Sequence, residues 1–388
     1  MMSTKISIIN IKDYDNIPDA IVAAIKLIEK DLNFNLLECG KILLKPNLLR
    51  ATKDACTQPI FVEGVIRYLK EAGVRMENVS IGDSPGQIKI SATEIAKKIG
   101  LYEICERMGI KFINFEHDIP VQEKIEGSLR LEDYYVSKSV KDCDLLINLP
   151  KLKTHGEATV TGAIKNYWGV IPGGLKAKFH LVGRTPNKFG EALADNYSWI
   201  VKNKTNRLII YDCVRVMEGP MGPVSGSMKQ WDLILVGSDE LALDVVALEI
   251  GKFKGLKYVP HLKSASERGL GEFNLENIEI LGLSLEEARK ITPKFRVPGR
   301  FITRLASFIT RSIVYKVTKK RPILSKKLCL QCGQCYEICP ANAINFKKGE
   351  YPLFLRRECI SCLCCMEMCP QEAIKPKLRG FGGMFHSY

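Results

Sequence analysis

From Met1 to about Pro293 the chain alternates short apolar runs with longer segments whose apolar residues recur at helical spacing. Short runs rich in β-branched residues predict strands, and the longer periodic segments predict helices. This alternation is typical of an α/β architecture with mostly parallel sheets and flanking helices. The predicted strands are 5–9, 41–44, 79–81, 111–115, 144–148, 207–211, 233–236 and 278–281, and two of the predicted helices are 59–72 and 92–108.

Polar loops follow several of the predicted strands. Open sheets of this class bind ligands beyond the carboxyl ends of their strands, so these loops are expected to line one cleft. Taken alone, each loop is also compatible with an ordinary turn. The loops are Lys45–Asn47, Gly82–Gly86, Pro150–His155 with its continuation Gly162–Asn166, and Met217–Pro220.

Four lysines gather at these predicted strand ends. Like charges beside an apolar sheet repel one another unless an anion lies between them, so the sequence predicts a pocket for a carboxylate or a phosphate. A histidine can change its charge near neutral pH, which makes His155 and His180 candidates for proton transfer, although His180 fits a loop cap equally well. The lysines are Lys45, Lys151, Lys153 and Lys165.

These patterns define a set of candidate site residues. The candidate catalytic residues are Lys165, His155 and Lys153, and the candidate substrate-binding residues are Lys45, Asn47, Asp83, Ser84, Lys151, Asn166 and Glu218. Further along the chain, Asp239 is expected to cap a helix, and Asp244 is a candidate to face the cleft. The sequence has no G-x-x-x-x-G-K-S/T and no G-x-G-x-x-G between a strand and a helix, so neither ATP nor a nicotinamide cofactor is predicted.

The basic residues are concentrated in one segment. The formal net charge is +14, yet the residues before Pro293 are close to neutral, while 293–328 contains eleven Lys or Arg and no acidic residue. This distribution argues against nucleic-acid binding by the main body. Within the segment, the spacing of Phe301–Lys320 predicts an amphipathic linker helix. Its apolar side packs on the main domain, touches an anionic membrane surface or meets an acidic redox protein, and the sequence leaves these alternatives open.

The C-terminal region contains one cysteine phrase twice, each copy reading C-x-x-C-x-x-C-x-x-x-C-P. It resembles the ligand run of bacterial two-cluster ferredoxins, in which the fourth cysteine of each copy binds the other cluster. The resemblance implies two 4Fe–4S clusters. Zinc sites favour paired knuckles with longer spacers, and disulfides need an oxidising compartment. The implied ligands are Cys329, Cys332, Cys335 and Cys369 for one cluster, and Cys359, Cys362, Cys365 and Cys339 for the other.

The predicted organisation has three parts. Residues 1–293 form the α/β domain with the anion cleft, 294–327 the basic amphipathic linker helix, and 328–388 a small α+β ferredoxin-like domain. Cys364 falls outside the ligand pattern and is interpreted as a buried or spare thiol. No apolar run reaches the roughly 18 residues of a membrane span, and no signal peptide is recognised, so a cytoplasmic location is expected.

Six short motifs, in order, give the chain a second resemblance. They are KPN (45–47), GDSPG (82–86), NLPKLKTH (148–155), GAIKNYWG (162–169), MEGP (217–220) and SDELALD (238–244). This series resembles the family known as domain of unknown function 362, whose members often carry a fused two-cluster ferredoxin module. The resemblance implies an α/β fold, iron–sulfur clusters and an anaerobic setting. A more distant likeness is to the lactate racemase group with its nickel-pincer cofactor, from which no residue is carried over.

Three functions remain open at this point. In the first, an oxidoreductase takes electrons from an external carrier of ferredoxin or flavodoxin type and passes them to an anionic substrate or cofactor in the cleft. In the second, the chain is a non-catalytic electron-transfer or maturation partner of another enzyme. In the third, a racemase-like or transferase enzyme uses the cleft without redox chemistry, and the clusters are structural.

Overall fold

The computed structural model describes residues 4–11, 16–85, 90–173, 175–176, 179, 185–219, 222–224, 226–297 and 320–378. Of the predicted linker helix Phe301–Lys320, residues 301–319 lie outside the described residues, and Lys320 is the first residue of a strand. No helix within the described ranges is long and apolar enough to cross a bilayer.

The main sheet has ten strands and is mostly parallel, as predicted. Its principal order is β12-β1-β11-β10-β7-β2-β3-β4, and β8 and β9 extend it from β10. All eight predicted strands are present. The α/β module has two further strands, β5 and β6, which pair with each other antiparallel and are not part of this sheet. The strands of the module are β1 (Thr4–Asn10), β2 (Ile42–Pro46), β3 (Val79–Asp83), β4 (Lys111–Asn114), β5 (Pro120–Glu123), β6 (Tyr134–Ser137), β7 (Leu145–Leu149), β8 (Lys151–His155), β9 (Thr159–Thr161), β10 (Arg207–Glu218), β11 (Ser227–Gly237) and β12 (Ile278–Gly282).

Helices cover both faces of this sheet. The predicted helix 92–108 is two helices, because Gly100 adopts a left-handed φ of 88° that ends the first. A capping box between Ser91 and Glu94 begins that first helix. The helices are α1 (Ile17–Ile28), α2 (Pro59–Glu71), α3 (Ala92–Ile99), α4 (Leu101–Met108), α5 (Lys138–Asp142), α6 (Ala163–Asn166), α7 (Pro186–Asn203), α8 (Glu240–Ile250), α9 (Pro260–Glu267) and α10 (Leu285–Ile291).

The central strands are buried on both faces, which explains their continuous apolar sequences. In β2, Leu43 packs into the core on one face, while Ile42 and Leu44 pack into the core on the other. Strand β7 alternates in the same way. A strand with two buried faces favours apolar residues along its length, so most polar side chains of β2 and β7 come near the ends of the strands.

The C-terminal unit is built from two similar halves, each carrying one cysteine motif. Its strands are β13 (Lys320–Leu324), β14 (Ile344–Asn345), β15 (Leu353–Phe354) and β16 (Ile374–Leu378), and its helices are α11 (Gln334–Glu337) and α12 (Cys364–Glu367). β13 pairs with β16 and β14 with β15, both antiparallel. The unit is a small α+β domain, as predicted.

Arg50, in the loop after β2, joins this unit to the α/β module. Its guanidinium lies 3.1 Å from the Glu372 carboxylate and donates to the Pro370 carbonyl, also at 3.1 Å. Because Arg50 is largely buried, these contacts hold the C-terminal unit against the strand-end loops.

Candidate functional site

A cavity of about 100 Å³ lies where the strand-end loops meet the C-terminal unit. This cavity is called the cleft below. At this volume it has room for several waters or one small molecule. Seven of the predicted site residues line it: Lys45, Asn47, Asp83, Ser84, His155, Lys165 and Asn166.

Lys45 and Asp83 form a buried ion pair at one wall of the cleft. The ammonium lies 2.6 Å from Asp83 Oδ1, and both side chains are almost wholly excluded from solvent. The other carboxylate oxygen, Oδ2, accepts from Leu48 N at 2.7 Å. Gly169 is required beside this pair, because a Cβ there would lie 2.1 Å from Asp83 Oδ1. The charge of Lys45 is therefore neutralised by the protein itself.

Three other predicted residues do not line the cleft. Lys151 forms a fully buried ion pair with Asp212 at 2.8 Å. Lys153 donates to Asn47 Oδ1 at 2.5 Å and to the Ala55 carbonyl at 2.6 Å, and burial lowers its pKa to about 7.

The third of these residues is Glu218, at the end of β10. Its carboxylate accepts from the Arg296 backbone N–H at 2.7 Å. Glu218, Lys151 and Lys153 therefore make contacts inside the protein and do not face the space of the cleft. The four lysines thus do not form one anion site, because two of them have carboxylate partners that are distant in sequence.

A chain of amides fixes the loop that carries Lys165. Asn166 donates to Asn148 Oδ1 at 2.7 Å and to the Lys45 carbonyl at 3.1 Å, and it accepts from Asn47 at 3.0 Å. Two of these bonds reach the end of β2 and one reaches the end of β7, so the short helix α6 has a defined position over the sheet.

Asp244 supports α6 from below and does not line the cleft. Its carboxylate accepts from the backbone N–H groups of Ala163 at 2.7 Å and Ile164 at 3.1 Å, the first residues of the helix. Burial raises the pKa of Asp244 to about 7. Asp239 accepts from Ala242 N at 3.0 Å and caps α8, as predicted.

Lys165 is the most chemically distinctive residue in the cleft. Its amine makes no hydrogen bond or ion pair with any residue that the structure describes, and it lies 6.0 Å from the centre of the Phe189 ring. Burial lowers its pKa, an effect that the nearby carboxylates of Glu367 and Glu157 oppose. A lysine in such surroundings exchanges its proton more readily than an exposed one.

Lys176 also lines the cleft, although it is not among the residues predicted from the sequence. Its amine donates to Ser84 Oγ at 2.8 Å and to the Pro85 carbonyl at 3.0 Å. Burial lowers its pKa to about 7. The residue follows no predicted strand, so no strand-end rule could have found it.

The opposite wall of the cleft comes from the C-terminal unit. It consists of Ile338, Cys364, Glu367 and Met368. Glu367 Oε1 lies 3.3 Å from His155 Nε2. His155 Nδ1 accepts from the backbone N–H groups of Glu157 and Ala158, both at 3.1 Å. These acceptor bonds place the proton on Nε2, which donates to Glu367. In this arrangement His155 orients Glu367.

The eight predicted ligand cysteines surround two separate voids. Cys329, Cys332, Cys335 and Cys369 line the first, and Cys339, Cys359, Cys362 and Cys365 line the second. Each void thus takes its fourth thiol from the other motif.

Other groups around the voids also suit iron–sulfur clusters. Backbone N–H groups donate to Cys329, Cys339 and Cys369 sulfurs at 3.2 to 3.4 Å, as thiolate ligands require. Ser361 Oγ, at the second void, is buried without a hydrogen-bond partner among the described residues. The donor set, its grouping and this hydroxyl fit two clusters.

Cys364 lines both the second void and the cleft. Its neighbour Leu363 has a left-handed φ of 62°, a conformation that costs a non-glycine residue roughly 1–2 kcal/mol. Thirty residues earlier the same conformation is held by Gly333. The Leu363 side chain lies against Gly156 of the α/β module, and this packing offsets the backbone strain.

Comparison with known proteins accounts for this architecture. The sequence model of the family described as domain of unknown function (DUF362) matches residues 42–249, more than half of the chain. The chain belongs to this family. A 4Fe-4S dicluster domain matches residues 328–374 of the DUF362 protein. The DUF362 protein is therefore an iron–sulfur protein.

One curated relative is the thylakoid-associated protein sll1697 of Synechocystis, which is 34% identical over 215 residues. The match covers 54% of this chain and 62% of the relative, so this chain spans less than two thirds of that protein.

Two solved structures are distant neighbours. A Thermotoga maritima protein has 17% identity and a TM-score of 0.34, with 53% of this chain and 51% of that chain covered. The lactate racemase apoprotein of Thermoanaerobacterium thermosaccharolyticum has 12% identity and a TM-score of 0.38, with 69% and 57% covered.

His180 and Gly86 lie outside the described residues. Cys364 and Glu367 belong to the cleft although they come from the cysteine motif, about 200 residues from the lysine loops. The only sequence signal for Cys364 was that it broke the repeat.

Proposed function

We propose that this DUF362 protein is an oxidoreductase with two 4Fe–4S clusters, which passes electrons to a small anionic molecule in the cleft. The observation that carries the proposal is the position of Cys364. It lies between the cysteines of the second void and the open space of the cleft. A molecule in the cleft would thus be one side chain away from the second cluster.

The charges in the cleft support an anionic ligand. With the Lys45–Asp83 pair neutral, Lys165, Lys176 and Glu367 remain. Burial lowers the pKa of both of these lysines, which means that their ammonium forms lack sufficient compensation. An anion between them supplies that compensation, so binding is coupled to proton uptake.

Lys165 is suited to hold the proton that a reduction consumes. The clusters, when bound, supply single electrons. For each two-electron reduction, two molecules of a reduced carrier of ferredoxin or flavodoxin type are oxidised and two protons are consumed. Lys165 holds one of these protons at Nζ and the solvent supplies the other, and the lowered pKa of Lys165 makes its transfer less costly. The backbone around it is fixed by the amide chain and by Asp244, so the amine is positioned before the ligand binds.

The test is anaerobic. The protein is reduced, and the return of cluster absorbance is followed while single anionic compounds, such as 2-oxo acids and phosphate esters, are added. We expect one class to reoxidise the clusters in the wild type and in Lys70→Met, an exposed lysine at the end of α2. Lys165→Met should retain its iron but lose most of this reaction.

Two results would contradict the proposal. One is reoxidation at the same rate in Lys165→Met as in Lys70→Met. The other is the absence of reoxidation by any small anion together with rapid reoxidation by a protein fraction, which favours the electron-transfer partner.

A further inference from the structure

The two cysteine motifs are equivalent in sequence but not in surroundings. The inner loop, residues 356–364, contacts the α/β module at its C-terminal end, where Leu363 is buried against Gly156 and Cys364 lines the cleft. The outer loop, residues 326–334, carries the first motif. Among the cysteines, all of which the structure describes, Cys332 alone is exposed.

The outer loop has an apolar centre in contact with solvent. Leu330 is 65% exposed and Leu328 is 45% exposed, on either side of Cys329 in the sequence. Leu330 and Cys332 line the same void as the other thiols of the first group. Exposed leucines are common on protein surfaces, but two that lie together at a cluster site offer an apolar contact surface to a partner.

The rim of the outer loop is basic. Lys326 and Lys327 are exposed, and no acidic residue occurs between 325 and 336. The inner loop has a matching exposed basic pair, Arg356 and Arg357, but there Glu358 follows the pair in place of Leu328. An apolar centre with a rim of one charge suits the small, transient contacts through which electron carriers dock, since charge steers the encounter and salt weakens it.

We propose that the outer loop docks a small acidic electron-carrier protein, so that electrons enter at the first cluster site and leave at the second. The direction rests on the proposed function, because the second site adjoins the cleft. Each docking event moves one electron: the carrier is oxidised by one electron and the first site is reduced by one. No bond is formed or broken.

The experiment measures reduction of the clusters in the full-length protein by stopped-flow absorbance. The probe is an acidic flavodoxin in its hydroquinone form, and dithionite serves as the small reductant. Leu330→Glu places a like charge in the docking centre, and we expect its reduction by flavodoxin to be about tenfold slower. Leu37→Glu is the matched control, because Leu37 is 64% exposed on the α/β module. It should react like the wild type.

A second variant tests the same surface in case Leu330→Glu loses its clusters. Lys326→Glu with Lys327→Glu should slow the flavodoxin reaction and abolish its decrease with salt, while dithionite reduces all variants equally. Equal flavodoxin rates in Leu330→Glu, the double variant and Leu37→Glu would overturn the proposal. Because the assay follows cluster reduction alone, a cleft that reduces no anion would refute the proposed function without altering this result.

Discussion

The buried pair of Lys45 and Asp83 gives a sharp prediction about stability. The two groups lie 2.6 Å apart with almost no exposure to solvent, so Asp83→Asn leaves a buried ammonium without its carboxylate. Breaking a buried pair in this way costs about 3–5 kcal/mol. The double variant Asp83→Asn with Lys45→Met removes the charge as well and should recover much of that loss.

The assay is urea unfolding under anaerobic conditions, followed by tryptophan fluorescence. All three tryptophans, Trp168, Trp199 and Trp231, lie in the α/β module and are buried, so the signal reports that module. Glu267→Gln, which breaks an exposed pair with Lys263, is the control and should change stability little.

The pH dependence provides a second check on the same variant. Burial lowers the pKa of Lys45, and Asp83 opposes this effect, so the pKa falls further in Asp83→Asn. The unfolded chain then binds more protons than the folded one, and stability rises with pH through this window. The loss of unfolding free energy in Asp83→Asn, relative to the wild type, should therefore become smaller as pH rises through this window. A deficit no larger than that of Glu267→Gln, or a double variant as unstable as Asp83→Asn, would refute the reasoning.

Three further predictions concern the cleft and the clusters. Gly169→Ala brings a Cβ within 2.1 Å of Asp83 Oδ1, so the same unfolding assay should show a larger loss of stability than Gly40→Ala, where the nearest atom to the new Cβ lies 3.3 Å away; equal losses would contradict the clash. Because burial lowers the pKa of Lys176 to about 7, calorimetry should show anion affinity falling up to about tenfold per pH unit above that value; a flat profile would exclude this coupling. Cys365→Ser should remove about half of the bound iron without changing the unfolding of the α/β module, and unchanged iron would count against its ligand role.

Much of the fold was predictable because it depends on local patterns. Short apolar runs such as Leu145–Ile147, rich in residues that favour strands and followed by polar residues, predict strands buried on both faces. The meeting of three of the strand-end loops at one cleft followed from parallel topology, whereas Glu218 in the fourth loop does not line the cleft. Strand β8 and the division of 92–108 at Gly100 were missed, since a five-residue strand of mixed polarity and an isolated glycine give weak signals.

The roles of the charged residues were less predictable. Lys45, Lys151, Lys153 and Lys165 look alike in the sequence, yet the first two have carboxylate partners, the third supports Asn47, and the amine of Lys165 faces the cleft. Likewise, His155 was a plausible proton carrier until two backbone N–H groups were found on Nδ1. A side chain's charge state depends on its burial and its partners, which short-range sequence does not specify.

The sequence by itself determined the succession of strands and helices along the chain, the family motifs and the two cysteine phrases. Each of these is carried by residues that lie close together on one segment. Only the tertiary structure decided that Cys364 and Glu367 close the cleft, that Leu330 faces solvent while Leu363 does not, and that Lys176 belongs to the site. These relations join segments far apart in sequence. They depend on which side chains meet when distant segments pack together, and local spacing does not encode that packing.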